Sequence, residues 1–226
     1  MDQPVDIVIV AAGMGNRLGL NMPKAFVELN GKALVEYSLE TFASFAGTGR
    51  IAVVVPCDRL ESARIFLERR QYSVPVSLIP GGEHRWQSVR NGAATCLAEW
   101  ILVHDAARPF VTPKVIVDLL EKRERYRCAV TAVPEIDTVR RFENDCCIET
   151  LDRSQIVRIG TPQLFFRESL INALSTAERR ETPPTDEAVL MEECGHTVGF
   201  AWGDPMNFKI TTKSDLETAE AILARR

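Results

Sequence analysis

The sequence predicts an α/β protein built on a Rossmann-like, doubly wound and mainly parallel sheet. Three observations predict it. Strand-length apolar runs alternate with helix-length amphipathic segments, the runs are apolar almost throughout, and small or polar loops follow their carboxyl ends. Strands apolar on both sides are covered on both faces, and crossovers long enough for a helix join parallel neighbours. In such sheets ligands bind beyond the carboxyl ends of the strands, so those loops hold the candidate site.

Strands are expected at Val5 to Val10, Ile51 to Val55, Val76 to Ile79, Trp100 to Val103 and Ala129 to Val133. Helices are expected near Leu34 to Phe45, Asp58 to Arg70, Trp86 to Ala98 and Pro113 to Arg125. The alternation then stops. Two extended segments flank the polar Glu143-Asn144-Asp145 and read as a β-hairpin protruding at about residues 136–154. Exposed strand edges seek partners, so this hairpin is expected to be a dimerisation arm. Thr161 to Phe165 returns to the core, and a helix follows near Arg167 to Ala177. Thr185 is placed to cap a helix running to about Cys194, and a last helix runs from Ser214 to about Ala224.

Composition narrows the function. The 226 residues suit one domain, 1–226, with the arm as an appendage. A net charge of −4 argues against a nucleic-acid or anionic-membrane binder, which needs clustered Lys and Arg. No segment approaches the roughly 20 apolar residues of a membrane span. The start, Met1-Asp2-Gln3-Pro4, lacks the basic opening of a signal peptide. The expected compartment is the cytoplasm. The six cysteines show no C-x-x-C pair and no metal-ligand spacing, and are read as reduced thiols.

The chemistry lies in the loops. Ala11-Ala12-Gly13-Met14-Gly15-Asn16-Arg17 follows the first strand, and Pro23-Lys24 comes soon after. Small residues and glycines let backbone N–H groups approach a phosphate chain, and Arg17 and Lys24 add two cations. The dinucleotide fingerprint needs a glycine where Leu18 stands, and the Walker pattern is absent. The loop suits a nucleoside triphosphate. Gly81-Gly82-Glu83-His84-Arg85-Trp86-Gln87-Ser88 follows the third strand. Its glycines admit a flat base, and Ser88 either hydrogen-bonds a base edge or ribose or caps the helix. His104-Asp105-Ala106-Ala107-Arg108-Pro109 follows the fourth. Asp105 either holds Mg²⁺ against phosphate oxygens or caps a turn. Arg108 offers forked donors to a second phosphorylated substrate, or pairs with Asp105. His104 abuts the strand and is read as structural. Lys209, between apolar neighbours in a strand-like context, seeks an anion or snorkels from an edge strand.

Together with Asp152-Arg153, Thr161-Pro162-Gln163, Thr185-Asp186-Glu187-Ala188 and Asn207-Phe208-Lys209-Ile210-Thr211, these stretches resemble, in order and over nearly the whole chain, the 2-C-methyl-D-erythritol 4-phosphate cytidylyltransferases. The resemblance implies the nucleotide-diphospho-sugar transferase type of fold. It implies transfer of CMP from CTP to methylerythritol phosphate, giving 4-diphosphocytidyl-2-C-methyl-D-erythritol and pyrophosphate, in the non-mevalonate isoprenoid pathway. Residue by residue, it implies that Ala11, Ala12, Gly13, Gly15, Arg17 and Lys24 hold the CTP phosphates. Gly82, Glu83 and Ser88 would read cytosine, and Asp105 and Ala106 would contact the ribose and Mg²⁺. Arg108, Thr161 and Lys209 would face methylerythritol phosphate, with Arg17, Lys24 and Lys209 as the catalytic cations. Thr138 and Arg153 would complete the partner's site in a homodimer joined through the arm. Glu83 stands where family members often carry Asp, and Ala25 where many carry Gln.

Two rival readings remain. A cytidylyltransferase for another polyol phosphate, such as ribitol 5-phosphate, would share the nucleotide loops. Ala106-Ala107, where that family tends toward Ser-Val, favours methylerythritol phosphate. A non-catalytic nucleotide-binding module would have lost Lys24, Asp105 or Lys209, and all three are present.

Overall fold

The computed structural model describes residues 3–13, 15 and 22–225. In chain order its elements are β1 (Val5–Val10), β2 (Glu28–Leu29), β3 (Lys32–Ala33), α1 (Leu34–Ser44), β4 (Thr48–Val55), α2 (Leu60–Leu67), β5 (Val76–Pro80), α3 (Arg85–Ala93), β6 (Trp100–Asp105), α4 (Pro113–Leu120), β7 (Cys128–Pro134), β8 (Arg140–Glu143), β9 (Cys146–Thr150), β10 (Val157–Phe166), α5 (Arg167–Thr176), α6 (Glu187–Glu193), β11 (Val198–Trp202) and α7 (Lys213–Leu223). Seven strands form one sheet in the order β11-β7-β10-β6-β1-β4-β5. All its pairings are parallel except those of β10, which runs antiparallel between β6 and β7. The reason is the connection: β7 reaches β10 through the hairpin rather than through a crossover helix, so the chain re-enters the sheet from the end at which it left.

The apolar runs do what two-sided burial requires. Ile7 and Ile9 of β1 pack on one face of the sheet with Leu39 and Phe42 of α1, and Val8 packs on the other with Trp86 and Val89 of α3. Each such side chain contributes roughly 1.5–3 kcal/mol on leaving water. Asp6 interrupts the run yet is only 2 % exposed. Its Oδ2 accepts from the backbone N–H groups of Leu97 and Ala98 at 2.6 and 2.8 Å. That tie turns the chain toward β6 and explains why α3 ends at Ala93 rather than at the expected Ala98.

Other boundaries differ from expectation. The segment to Arg125 leaves the α-helix at Leu120 and continues as one 3-10 turn. The cap of α6 is Asp186, whose Oδ1 accepts from Val189 N–H, and not Thr185. The last helix begins at Lys213, capped by Thr212 with Asp215 reaching back to the Thr212 N–H. Strand β11 lies outside the expected set. It alternates buried and exposed residues and carries Gly199, where the Tyr126 ring lies so close that a Cβ would meet it at 2.4 Å.

The hairpin is present as β8 and β9, a separate two-stranded sheet. Asn144 and Asp145 form its tip with φ of 47° and 64°, the positive pair of a type I′ turn. Every residue of both strands is exposed, including Phe142 and Ile148.

Candidate active site

Two cavities open beyond the carboxyl ends of the parallel strands. The first, about 390 Å³, lies between the loop after β1 and the start of α3. Ala11, Ala12, Gly13, Gly15, Lys24, Gly82, Glu83, Ser88, Asp105, Ala106 and Lys209 all line it. The second, about 400 Å³, lies over β10 and α6 and is lined by Arg108, Thr161, Gln163 and Asp186 among others. Arg85, Asp105 and Lys209 line both, so they form the shared wall.

The glycine loop and Lys24 are built as one unit. Lys24 N–H donates to Gly13 C=O at 3.1 Å. Gly15 has φ +68°, and a Cβ there would meet Lys24 Cβ at 2.8 Å. Only glycine lets the loop close on the lysine. Across the cleft, Gly82 N–H donates to Ser88 Oγ at 3.1 Å, so the buried serine fixes the loop that precedes α3. Arg17 lies outside the described residues.

The wall is an ion cluster. Asp105, at the end of β6, accepts on Oδ1 from Arg85 Nε at 3.1 Å, with Arg85 Nη2 in ion-pair contact at the same distance, and on Oδ2 from Lys209 Nζ at 2.8 Å. Arg85 Nη1 donates in turn to Glu187 Oε2. Burial alone would raise the Asp105 pKa, but the Arg85 and Lys209 charges outweigh it and hold the carboxyl well below the usual carboxylate range. For Glu187 burial wins over Arg85, and its pKa is raised.

His104 supports the wall from behind. It is fully buried, and burial pushes its pKa down to about 4, so the ring is neutral. Its Nε2 lies 3.1 Å from Arg108 C=O, which can only accept; the network therefore assigns the proton to Nε2. Nδ1 then accepts from Thr161 Oγ1, which itself accepts from Asp105 N–H at 3.0 Å. Both ring nitrogens of His104 are thus engaged within the protein. Thr161 sits in a bulge of β10 between Gly160 and Gln163, which swings it toward Asp105. Its hydroxyl is committed to this network although the residue lines the second cavity.

Lys209 is not in a strand. It belongs to an irregular segment pinned by Ile210 N–H on Ala107 C=O at 2.9 Å and by Asn207 Nδ2 on Thr161 C=O at 3.0 Å. Arg108 Nη1 donates to Asn207 C=O from the same side. Thr138 and Arg153 are exposed and line neither cavity of their own chain. Sequence reasoning misses Arg85, Glu187 and Gln163 as site components. All three lie inside the quoted motifs, but only the fold shows that α6 faces the start of α3.

A doubly wound sheet with a glycine loop, a lysine beside it and a carboxylate–lysine pair between two cavities defines a nucleotidyltransferase. The particular family is fixed by likeness. The model of the IspD family, 2-C-methyl-D-erythritol 4-phosphate cytidylyltransferase, matches residues 5–225. A protein of that name from Bacillus licheniformis is 37% identical over 219 residues, covering 96% of this chain and 95% of its own. The crystal structure of the one from Thermus thermophilus superposes with a TM-score of 0.79 at 30% identity, covering 99% of this chain and all of its own. The synthase structure from Anaerococcus prevotii, at 24% identity, has the same fold with a TM-score of 0.88, covering 99% of this chain and 97% of its own. The chain belongs to this family: it is a cytidylyltransferase that transfers CMP from CTP to 2-C-methyl-D-erythritol 4-phosphate in isoprenoid biosynthesis.

Proposed function

We propose that the first cavity holds CTP, the second holds methylerythritol phosphate, and Lys24 and Lys209 flank the α-phosphate where the two meet. The observation that carries this assignment is the Asp105–Lys209 pair, 2.8 Å apart on the wall both cavities share. A phosphate oxygen of the polyol attacks the α-phosphorus in line, and pyrophosphate leaves. The nucleophile is already anionic, so no general base is needed; the buried, fully bonded His104 is consistent with that. The barrier is the approach of anions, which cations and oriented N–H groups lower. Ala11 to Gly15 cradle the phosphates, with Arg17 steadying the triphosphate. Gly82, Glu83 and Ser88 read cytosine, and Ala106 contacts the ribose. Arg108 and Thr161 face the polyol phosphate.

Mg²⁺ fits this donor set as a partner of Asp105. The carboxylate stays ionised, and each of its oxygens keeps a lone pair beside its present cation. Among the described residues no cluster of three or more His, Cys, Asp or Glu could hold a metal, so substrate phosphates would supply the remaining ligands. When bound, the ion would neutralise charge on the phosphoryl oxygens.

The homodimer belongs to the same proposal. The arm leaves the sheet between β7 and β10, at the end that carries the site, and its exposed Phe142 and Ile148 suit burial against a second copy. Thr138 and Arg153 would then complete the partner's polyol site. Exposed free thiols at Cys57, Cys146, Cys147 and Cys194 suit a reducing cytoplasm. Among the described residues no helix is long and apolar enough to cross a membrane.

The test is pyrophosphate release from CTP and Mg²⁺ with methylerythritol phosphate and ribitol 5-phosphate side by side. Release with methylerythritol phosphate alone is expected. Release with ribitol phosphate alone would keep the nucleotide cleft and overturn the roles given to Arg108, Thr138 and Arg153.

A further inference from the structure

Arg85 occupies an unfavourable place. It is the first residue of α3, where the helix dipole disfavours a cation, and it is largely removed from water. Two carboxylates from different elements offset this: Asp105 of β6 takes Nε, with Nη2 in ion-pair contact beside it, and Glu187 of α6 takes Nη1. Two donors held by two carboxylates fix the plane of the guanidinium. Glu187 is 1 % exposed, and its Oε1 is buried without a hydrogen bond, so it is a costly group to keep for stability alone. Its own position is keyed to the sheet, because Gln163 Nε2 donates to Asp186 Oδ2 at 2.9 Å, immediately before α6.

We infer that Glu187 is a positioning residue: by holding Arg85 against Asp105 it fixes Lys209 at the junction of the two cavities. The chain of contacts is Glu187 to Arg85, Arg85 to Asp105 Oδ1, and Asp105 Oδ2 to Lys209 Nζ. Without Glu187, Arg85 turns on its stem, Asp105 follows it, and Lys209 loses its aim. The inference rests on the reading that Lys209 meets the reacting phosphates.

The experiment measures steady-state pyrophosphate release for the wild type, Glu187→Ala, Glu187→Gln, Arg85→Lys and Lys209→Met, each checked for folding by circular dichroism. Glu187→Ala is expected to lower kcat by about tenfold to a hundredfold, the size of a misplacement near 1 Å, while KM for CTP stays within about threefold. Glu187→Gln keeps an oxygen on Arg85 and is expected to recover kcat to within about threefold of the wild type. Arg85→Lys cannot bridge both carboxylates and is expected to behave like Glu187→Ala, and it carries the test if Glu187→Ala does not fold. The inference is overturned by a normal kcat in Glu187→Ala, by a loss confined to KM, or by a Gln variant no better than the Ala variant. Lys209→Met separates the two levels. If it turns over normally, the underlying reading falls; if it is inactive while Glu187→Ala is active, only the positioning role falls.

Discussion

Single residues set the chemistry, and their environments make it testable. Lys24 is 8 % exposed and tied by its backbone to Gly13. Lys24→Ala should cost roughly 2.7–4 kcal/mol of transition-state stabilisation, by analogy with loss of an oxyanion donor, read as a hundredfold or greater fall in kcat. Gly15→Ala forces a Cβ against Lys24 and a side chain into positive φ. It should destabilise the fold by about 1–3 kcal/mol in urea denaturation and also raise KM for CTP. His104 gives a pH signature. Its folded pKa, about 4, lies below the ordinary 6.5, so the unfolded chain takes up the proton first. The stability it contributes is therefore complete above pH 6.5 and is lost as pH falls toward 4, by about 3 kcal/mol in all. Denaturation between pH 7 and 4 should show that slope, and His104→Asn should flatten it.

At the scale of elements, the antiparallel β10 is the device that gathers the site. A parallel strand there would have arrived through a crossover on one face of the sheet and left no arm. Because β10 returns from the hairpin, its bulge places Thr161 beneath Asp105, and the arm projects from the catalytic end of the sheet. Replacing residues 139–151 with a short glycine–serine linker should leave CTP binding intact. On the proposed dimer it should also give a monomer in sedimentation velocity and abolish turnover, because Thr138 and Arg153 would no longer reach a second subunit. A dimer of full activity after that replacement would remove the arm from the mechanism.

For the whole molecule, the two cavities make stability and ligand binding readable together. The first cavity joins the loops after β1, β5 and β6, so a ligand there ties three crossovers at once. CTP at a hundred times its Kd should stabilise the fold by about 2.7 kcal/mol, seen as a rise in melting temperature. Lys24→Ala should reduce that rise at equal CTP, whereas the arm replacement should leave it unchanged.

The sequence by itself determined the layered α/β class, because continuous apolar runs such as Val5–Val10 have no stable place except between two helical layers. It also determined that the glycine loop, Lys24 and the Asp105 and Lys209 motifs would line one cleft, and where the hairpin turns, since glycines, a Pro-Lys pair and an Asn-Asp turn act locally. The limit of α3, the strand β11 and the Arg85–Glu187 contact were decided only in three dimensions. Asp6 ends the reach of α3 by capturing backbone groups more than 90 residues away in sequence, and Arg85 meets Glu187 across 102 positions. Local propensity carries no information about such partners. Burial does, because it leaves an isolated charge no alternative but to find its counterion.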